Sequence, residues 1–189
     1  MGIYGVENPM IYFTADTHFC HSNIISLNDR PFRDVDAMNR QLIQNWNAYV
    51  TDRDEIYILG DFMFKGSAVE ANAILRSLKG KKYLIRGNHD KFLGDEQFDS
   101  SLLEWVKDYH ELNYNKRKFV LFHFPILEWA GYFGDSIHLY GHVHNSGKSP
   151  EQKARLEVLG NRAINVGVDV NNFFPLEIKT IISLADKEV

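Results

Sequence analysis

Short apolar runs punctuate the chain, separated by polar or periodic stretches. Residues 10–15, 55–59, 82–86, 119–122, 137–140 and 163–166 are rich in aliphatic, β-branched and aromatic side chains. Several are too uniformly apolar to be exposed on either face, which predicts short strands buried in a sheet. Helical periods lie between some of them. Over 35–50, Met38, Leu42, Trp46 and Tyr49 recur at spacings of three and four and form one apolar stripe. Over 67–78, Ser67 and Glu70 have capping-box spacing, Val69, Ala73, Ile74 and Leu78 are the expected inward face, and Gly80 lies just past the end. Pro175 suits the first turn of a last helix whose apolar face is Leu176, Ile178, Ile181, Ile182 and Leu184.

The stretch 61–88 reads as loop, helix and strand, which makes a βαβ unit with its polar motifs at the C-terminal ends of strands. Residues 107–124 read differently, as a hairpin around Asn115-Lys116-Arg117, so a mixed sheet is expected. The polar, aperiodic stretch 146–161 reads as a long loop. Residues 1–9 are a weakly patterned lead-in, a tail or an edge segment. With 189 residues and 44% hydrophobic composition, one domain over 1–189 is the expectation.

Net charge and cysteine content narrow the partners. A formal charge of −4 argues against a protein whose main task is gripping a nucleic-acid backbone. The basic clusters Lys79, Lys81, Lys82 and Lys116, Arg117, Lys118 flank predicted turns and read as solvated. Cys20 is the only cysteine, so no intramolecular disulfide forms and a reducing compartment is the simpler assumption. No run approaches the roughly 18 apolar residues of a membrane span, and the N-terminus lacks a basic-then-apolar signal pattern. These features point to a cytoplasmic protein without membrane association.

The chemistry sits just after the apolar runs. In order come Asp16-Thr17-His18, Gly60-Asp61, Gly87-Asn88-His89-Asp90, His123 and Gly141-His142-Val143-His144, which hold five of the eight histidines. Two carboxylates, one amide and four imidazoles, apart from His89 and Asp90, are the donor set that two neighbouring divalent cations require. Asp61 is the best candidate for a shared ligand, because a carboxylate has two oxygens and a negative charge, and Gly60 lets the chain turn tightly at the strand end. Asp16 and His18, two apart, project to one side of an extended chain, and His142 and His144 share that spacing. The absence of thiolate leaves Mn, Fe, Zn and Ni equally suited.

The ordered set D-x-H, G-D, G-N-H-D, H and G-H-x-H resembles the calcineurin-like metallophosphoesterase family, and the resemblance runs from residue 10 to about 168. It implies an α/β fold, a four-layer sandwich of two mixed β-sheets flanked by helices, with the site along their upper edge. It implies one metal held by Asp16, His18, Asp61 and His144, and a second by Asp61, Asn88, His123 and His142. His89 corresponds to the family's protonating histidine, placed by Asn88 beside the metals but not bound to them, with Asp90 expected to orient its imidazole. The implied chemistry is in-line attack on phosphorus by a metal-bridging hydroxide, with His89 as general acid.

The remaining candidates carry weaker signals. His21 and Asn23 follow the first motif and are open to two readings, substrate phosphate contact or a turn and helix-cap role. Arg30, Arg33 and Arg86 each have the fork for a bidentate phosphate contact, Arg86 being closest to a motif, though a strand-end charge with a solvated tip is an equal reading. Cys20 stands where similar sequences commonly carry a small residue such as glycine. His110 and His138 match no motif and read as structural. Asn165-Val166-Gly167 looks like the family's closing turn, and Asp169 beyond it has no assignable role.

The functional expectation is a dinuclear metal-dependent phosphoesterase acting on small phosphodiesters, with substrate contacts from Asn88, His89, Arg86 and His21. A phosphomonoesterase or a nuclease on the same site is the alternative within the class. From other classes come a metal-binding scaffold without catalysis and a dinuclear hydrolase of carbonyl compounds. Strong nucleic-acid binding is not expected, and the oligomeric state is left open.

Overall fold

Three parallel strands, β1 (Ile11–Thr14), β2 (Glu55–Ile58) and β3 (Lys81–Ile85), lie side by side at the centre of a five-stranded sheet. Its edges are β4 (Trp105–Lys107), parallel to β3, and β9 (Leu176–Glu177), antiparallel to β1, in the order β4-β3-β2-β1-β9. The second sheet comprises β5 (Tyr109–Tyr114), β6 (Arg117–Phe122), β7 (Ile137–Tyr140) and β8 (Ala163–Asn165), in that order. Its first pair is antiparallel and the others are parallel. The computed structural model describes residues 8–145 and 149–187. Residues 1–7 of the lead-in and 146–148 of the expected loop lie outside the described residues, as do 188–189.

Alternation along the central strands builds two cores. Tyr12, Ile56 and Ile58 face one way, toward Ile24 of α1 (Ser22–Leu27), Met38, Leu42 and Trp46 of α2 (Val35–Tyr49), and Ala71 and Leu75 of α3 (Ala68–Ser77). Phe13, Tyr57, Leu59 and Ile85 face the other way, onto Phe119, Leu121, Ile137, Leu139 and Ile164 of the second sheet. Ile178, Ile181 and Ala185 of α5 (Ile178–Ala185) join this second core. Period-two alternation thus covers both faces of the first sheet, and the chain is an α/β sandwich of two mixed sheets with flanking helices.

The expected elements form, with four corrections. Tyr49 is 54% exposed and Asn45 takes the inward place, its amide donating to Phe173 O. In α3 the buried positions are Ala68, Ala71, Asn72 and Leu75, whereas Val69 is exposed. The inward face carries the polar Asn72, which donates to Gln97 O and accepts from Asp99 N. Residues 176–177 pair with Phe13 and Tyr12 as an edge strand before α5 begins at Ile178. The stretch read as a loop contains α4 (Pro150–Glu157), capped by Ser149 accepting from Gln152 N and with Pro150 in its first turn. α4 buries no residue, so it has no apolar period to read.

The hairpin is present: Tyr114 pairs with Arg117, and the two residues between them, Asn115 and Lys116, have φ of 49° and 65°. Positive φ at both central positions is the primed turn that matches strand twist. β1, β2 and β3 in one sheet and β6, β7 and β8 in the other are parallel within their sheets. All six deliver their following loops to one edge of the sandwich, where polar motifs from both sheets meet.

Candidate metal centre

The D-x-H loop after β1 is stitched to the G-D loop after β2 by Asp16 N→Gly60 O (3.0 Å), His18 N→Asp61 O (3.0 Å) and Thr17 Oγ1→Phe62 O (2.8 Å). Asp61 Oδ1 accepts from His89 N at 2.9 Å, which draws in the loop after β3. From the second sheet, His142 N donates to Asp16 Oδ1 and Oδ2 at 3.0 and 2.9 Å. Asp16, His18, Asp61, His142 and His144 all have left-handed backbone, with φ between 47° and 69°. Such conformations in non-glycine residues cost on the order of 1–3 kcal/mol each and persist where surrounding bonds impose them.

Close approach adds a glycine requirement. Gly60 has φ of 87°, and a Cβ there would stand 2.5 Å from His123 Nδ1 and 2.7 Å from Gly87 Cα. This glycine brings the two sheets' ligands within reach of each other.

Seven side chains converge on two sets. Ligand atoms of Asp16, His18 and His144 lie within 4.8 Å of one another, and so do those of Asp61, His123 and His142. Asp61 Oδ2 joins the sets, 3.5 Å from His18 Nε2 and 3.5 Å from His123 Nε2. Asn88 Oδ1 lies 3.1 Å from His123 Nε2. His123 Nδ1 sits 2.7 Å from Leu59 O and donates there, so Nε2 is the nitrogen that faces Asn88 and Asp61.

A second observation fits metal. Both ring nitrogens of His18 are buried with no hydrogen-bond partner, in a side chain 2% exposed. Burial, with help from His144, Arg30 and His21 and against the pull of Asp61, drops His18 to a pKa of about 3, so the ring is neutral at pH 7. An unpaired buried polar atom costs about 1–3 kcal/mol, and coordination removes that cost. Burial also disfavours ionised Asp61, but His123, the His89 amide and His18 outweigh it and hold the carboxylate near a pKa of 2. Burial raises Asp16 to about 7, with Asp61 adding to it while His144, His123 and the His142 amide oppose.

Asp169, without an expected role, is at the site. Its Oδ2 accepts from His144 Nδ1 at 2.7 Å, and both its oxygens take the guanidinium of Arg30 at 2.8 and 2.9 Å. Burial opposes its ionisation, but His144 and Arg30 hold its pKa below the usual carboxylate value. Arg30, 4% exposed, also donates to Thr17 O and Asp16 O, so it pins the first motif and has no donor turned to substrate. Asn165 donates to His144 O and accepts from Gly167 N, closing the last loop under the histidine.

Asp90 is also corrected. Its oxygens accept from Asp61 N, Phe62 N and Gly87 N at 2.8–2.9 Å. The carboxylate clamps the G-D loop to the G-N-H-D loop and does not orient the His89 imidazole. His89 itself stands at the mouth, 37% exposed, its Nε2 3.9 Å from Asp61 Oδ2 and its ring edge-on to Phe64.

Arg86 is drawn to Asp108 at 3.4 Å and Arg33 to Asp34 at 2.7 Å, both on the surface. His21 stacks on Phe64 with ring centroids 3.9 Å apart and occupies the cap position of α1 without a side-chain cap bond. Asn23 is exposed. His138 is buried against Val120 O and Phe124 O, and His110 packs on Trp105 and Tyr57, both structural. Cys20 has φ of 65°, a backbone shape that glycine adopts freely, and its amide is tied to Asn39 Oδ1. Burial raises its thiol pKa, which disfavours the free thiolate.

Among known proteins, the chain is 37% identical over 179 residues to the uncharacterized protein MJ1445 of Methanocaldococcus jannaschii, a match covering 94% of this chain and 92% of that one. It is 27% identical over 183 residues to the Gene 66 protein of Mycobacterium phage D29, covering 84% and 87%. A crystal structure of the protein of unknown function AQ665 from Aquifex aeolicus superposes with a TM-score of 0.72 at 27% identity, covering 94% of this chain and all of that one. The model of the calcineurin-like phosphoesterase superfamily domain matches residues 10–179, the span that carries every motif described above. With two ligand sets meeting at Asp61 inside that span, the chain belongs to the calcineurin-like phosphoesterase superfamily.

Proposed function

We propose that the protein is a dinuclear metal-dependent hydrolase of small phosphodiesters. The observation that carries this reading is Asp61 Oδ2 at 3.5 Å from an imidazole of each ligand set, where one carboxylate would serve two cations. Asp16, His18, His144 and Asp61 would hold one cation, and Asp61, Asn88, His123 and His142 the other. Divalent cations there supply Lewis acidity toward the phosphoryl oxygens and an acidified water as nucleophile near neutral pH.

The chain's own residues do the rest. His89, at the mouth and within reach of solvent, donates a proton to the departing oxygen. Asp90, Arg30 and Asp169 hold the loops and the His144 ring in place. The preference for small diesters is supported by the exposure of His89 and by the net charge of −4, which supplies no excess of cations to hold distant phosphates. Lys82 caps Leu78 O and Gly80 O, Lys118 pairs with Glu111, and Arg117 pairs with Asp186, so one or two cations of each basic cluster are engaged in the fold. No helix among the described residues is long and apolar enough to cross a membrane.

A screen of aryl and nucleotide phosphomonoesters, phosphodiesters and carboxylic esters with added Mn²⁺, Fe²⁺, Zn²⁺ or Ni²⁺ tests the reading. Turnover concentrated in small activated diesters, abolished in Asp61→Asn, is the expected result. Full metal occupancy with no ester hydrolysed would overturn it in favour of a scaffold. Cleavage of tightly held oligonucleotides with steep salt dependence would favour the nuclease.

A further inference from the structure

Next to His89, the loop leading into α3 and the turn after β3 enclose a cavity of about 210 Å³ walled by Met63, Phe64, Lys65, His89, Lys91 and Phe92. Its apolar side is well fixed. Met63 and Phe92 are buried, and Phe64 N donates to Phe19 O at 3.1 Å. The Phe64 ring reaches the metal centre, 4.7 Å from the His89 centroid and 6.3 Å from that of His18. Its polar side is cationic. Lys65 and Lys91 are exposed and enter no ion pair among the described residues, whereas Lys118 and Lys179 pair with carboxylates. Lys65 is held in left-handed backbone with φ of 59°, its ammonium 5.2 Å from the Phe64 ring.

We infer that this cavity is the subsite for the substrate's leaving group, and that this group is a small alcohol or phenol with a flat apolar body and a second anionic substituent, a carboxylate or phosphate. The inference rests on the phosphoesterase reading above. A leaving oxygen protonated by His89 lies within hydrogen-bond reach of that ring, and the group attached to it must occupy space on the His89 side. Met63, Phe64 and Phe92 form an apolar wall for a flat body, and two cations without carboxylate partners offer the counter-charge. The volume admits a ring with one substituent. A larger cavity of about 410 Å³, with Arg155 in its wall, lies against His142 and does not include His89.

The test uses the Mn²⁺-loaded full chain and two methyl aryl phosphodiesters, 4-nitrophenyl and 3-carboxy-4-nitrophenyl, with kcat/KM normalised to each ester's uncatalysed rate. From the worth of exposed charge pairs, the carboxylated ester is favoured about 3- to 20-fold at low ionic strength, and the preference shrinks with salt. In the double variant Lys65→Ala, Lys91→Ala the ratio falls toward one, whereas Arg155→Ala retains it. An amide-shift titration of metal-free protein with 3-hydroxybenzoate is expected to perturb residues 64–66 and 89–91 more than phenol does. Turnover without charge preference, or a preference that survives the double variant or disappears in Arg155→Ala, overturns the subsite and leaves the phosphoesterase reading standing. No turnover of either ester with both metals bound overturns both.

Discussion

His144 Nδ1 donates a 2.7 Å hydrogen bond to Asp169 Oδ2, across 25 residues of chain. The bond fixes the tautomer and ring orientation, leaving Nε2 as the free nitrogen. The same carboxylate holds Arg30, which in turn grips the carbonyls of Asp16 and Thr17. One buried acid therefore aligns ligands from both sheets.

Asp169→Asn is expected to weaken the Asp16–His18–His144 site by about 10- to 100-fold, the usual scale for an outer partner of a ligating histidine. The Asp61–His123–His142 site should change less. Calorimetric titration with Mn²⁺ measures both, and an unchanged first site would show that Asp169 serves the fold alone.

The shared position of Asp61 sets a contrast between two variants. Asp61→Asn should lower occupancy at both sites, whereas His18→Ala should empty one. Metal analysis of reconstituted protein decides the matter: a single tight site, indifferent to Asp61→Asn, rules out bridging.

His89→Ala should keep both metals and lose turnover by about 10²- to 10⁴-fold, the range for removing a general acid. The loss should be smaller for nitrophenolate, which needs little protonation, than for an alkoxide. Equal losses for the two leaving groups would assign His89 to charge stabilisation, and loss of metal would make it a ligand.

Metal affinity should fall with pH. Burial raises Asp16 to about 7 in the metal-free protein, so below that pH a cation must displace a proton and affinity drops about tenfold per pH unit. Above pH 7 the carboxylate is already ionised and the dependence from this group flattens. His18, held near 3 by burial, is neutral throughout and adds no competition in this range. Titrations at pH 5.5, 6.5 and 7.5 check the slope, and a flat profile would contradict the assignment of Asp16 as a ligand.

Gly60→Ala should destabilise the protein by about 2–4 kcal/mol, from left-handed strain and the forced separation of His123 from Gly87. Urea unfolding measures it. A loss under 0.5 kcal/mol would show that the sheet edges separate without strain.

Much of this protein is legible in one dimension because the information is local. Apolar runs mark strands buried on both faces, Ser67 and Glu70 mark a helix start, and the residue types after each strand advertise metal chemistry without a partner being known. Burial within helices was less legible: Asn72 faces inward because Gln97 and Asp99 satisfy it, a fact no period contains. Arg30 and Arg86 look alike in sequence, but one is buried on Asp169 and the other is turned to Asp108. Asp90 sits beside His89 in the chain, yet its oxygens belong to three backbone amides of two loops. Asp169 offered no signal, since its function depends on His144 and Arg30 arriving from elsewhere. The sequence determined which groups are present and on which strand ends; only the packing of two sheets decided which of them face a cation, because hydrogen-bond partners across loops are set by tertiary distance and not by spacing along the chain.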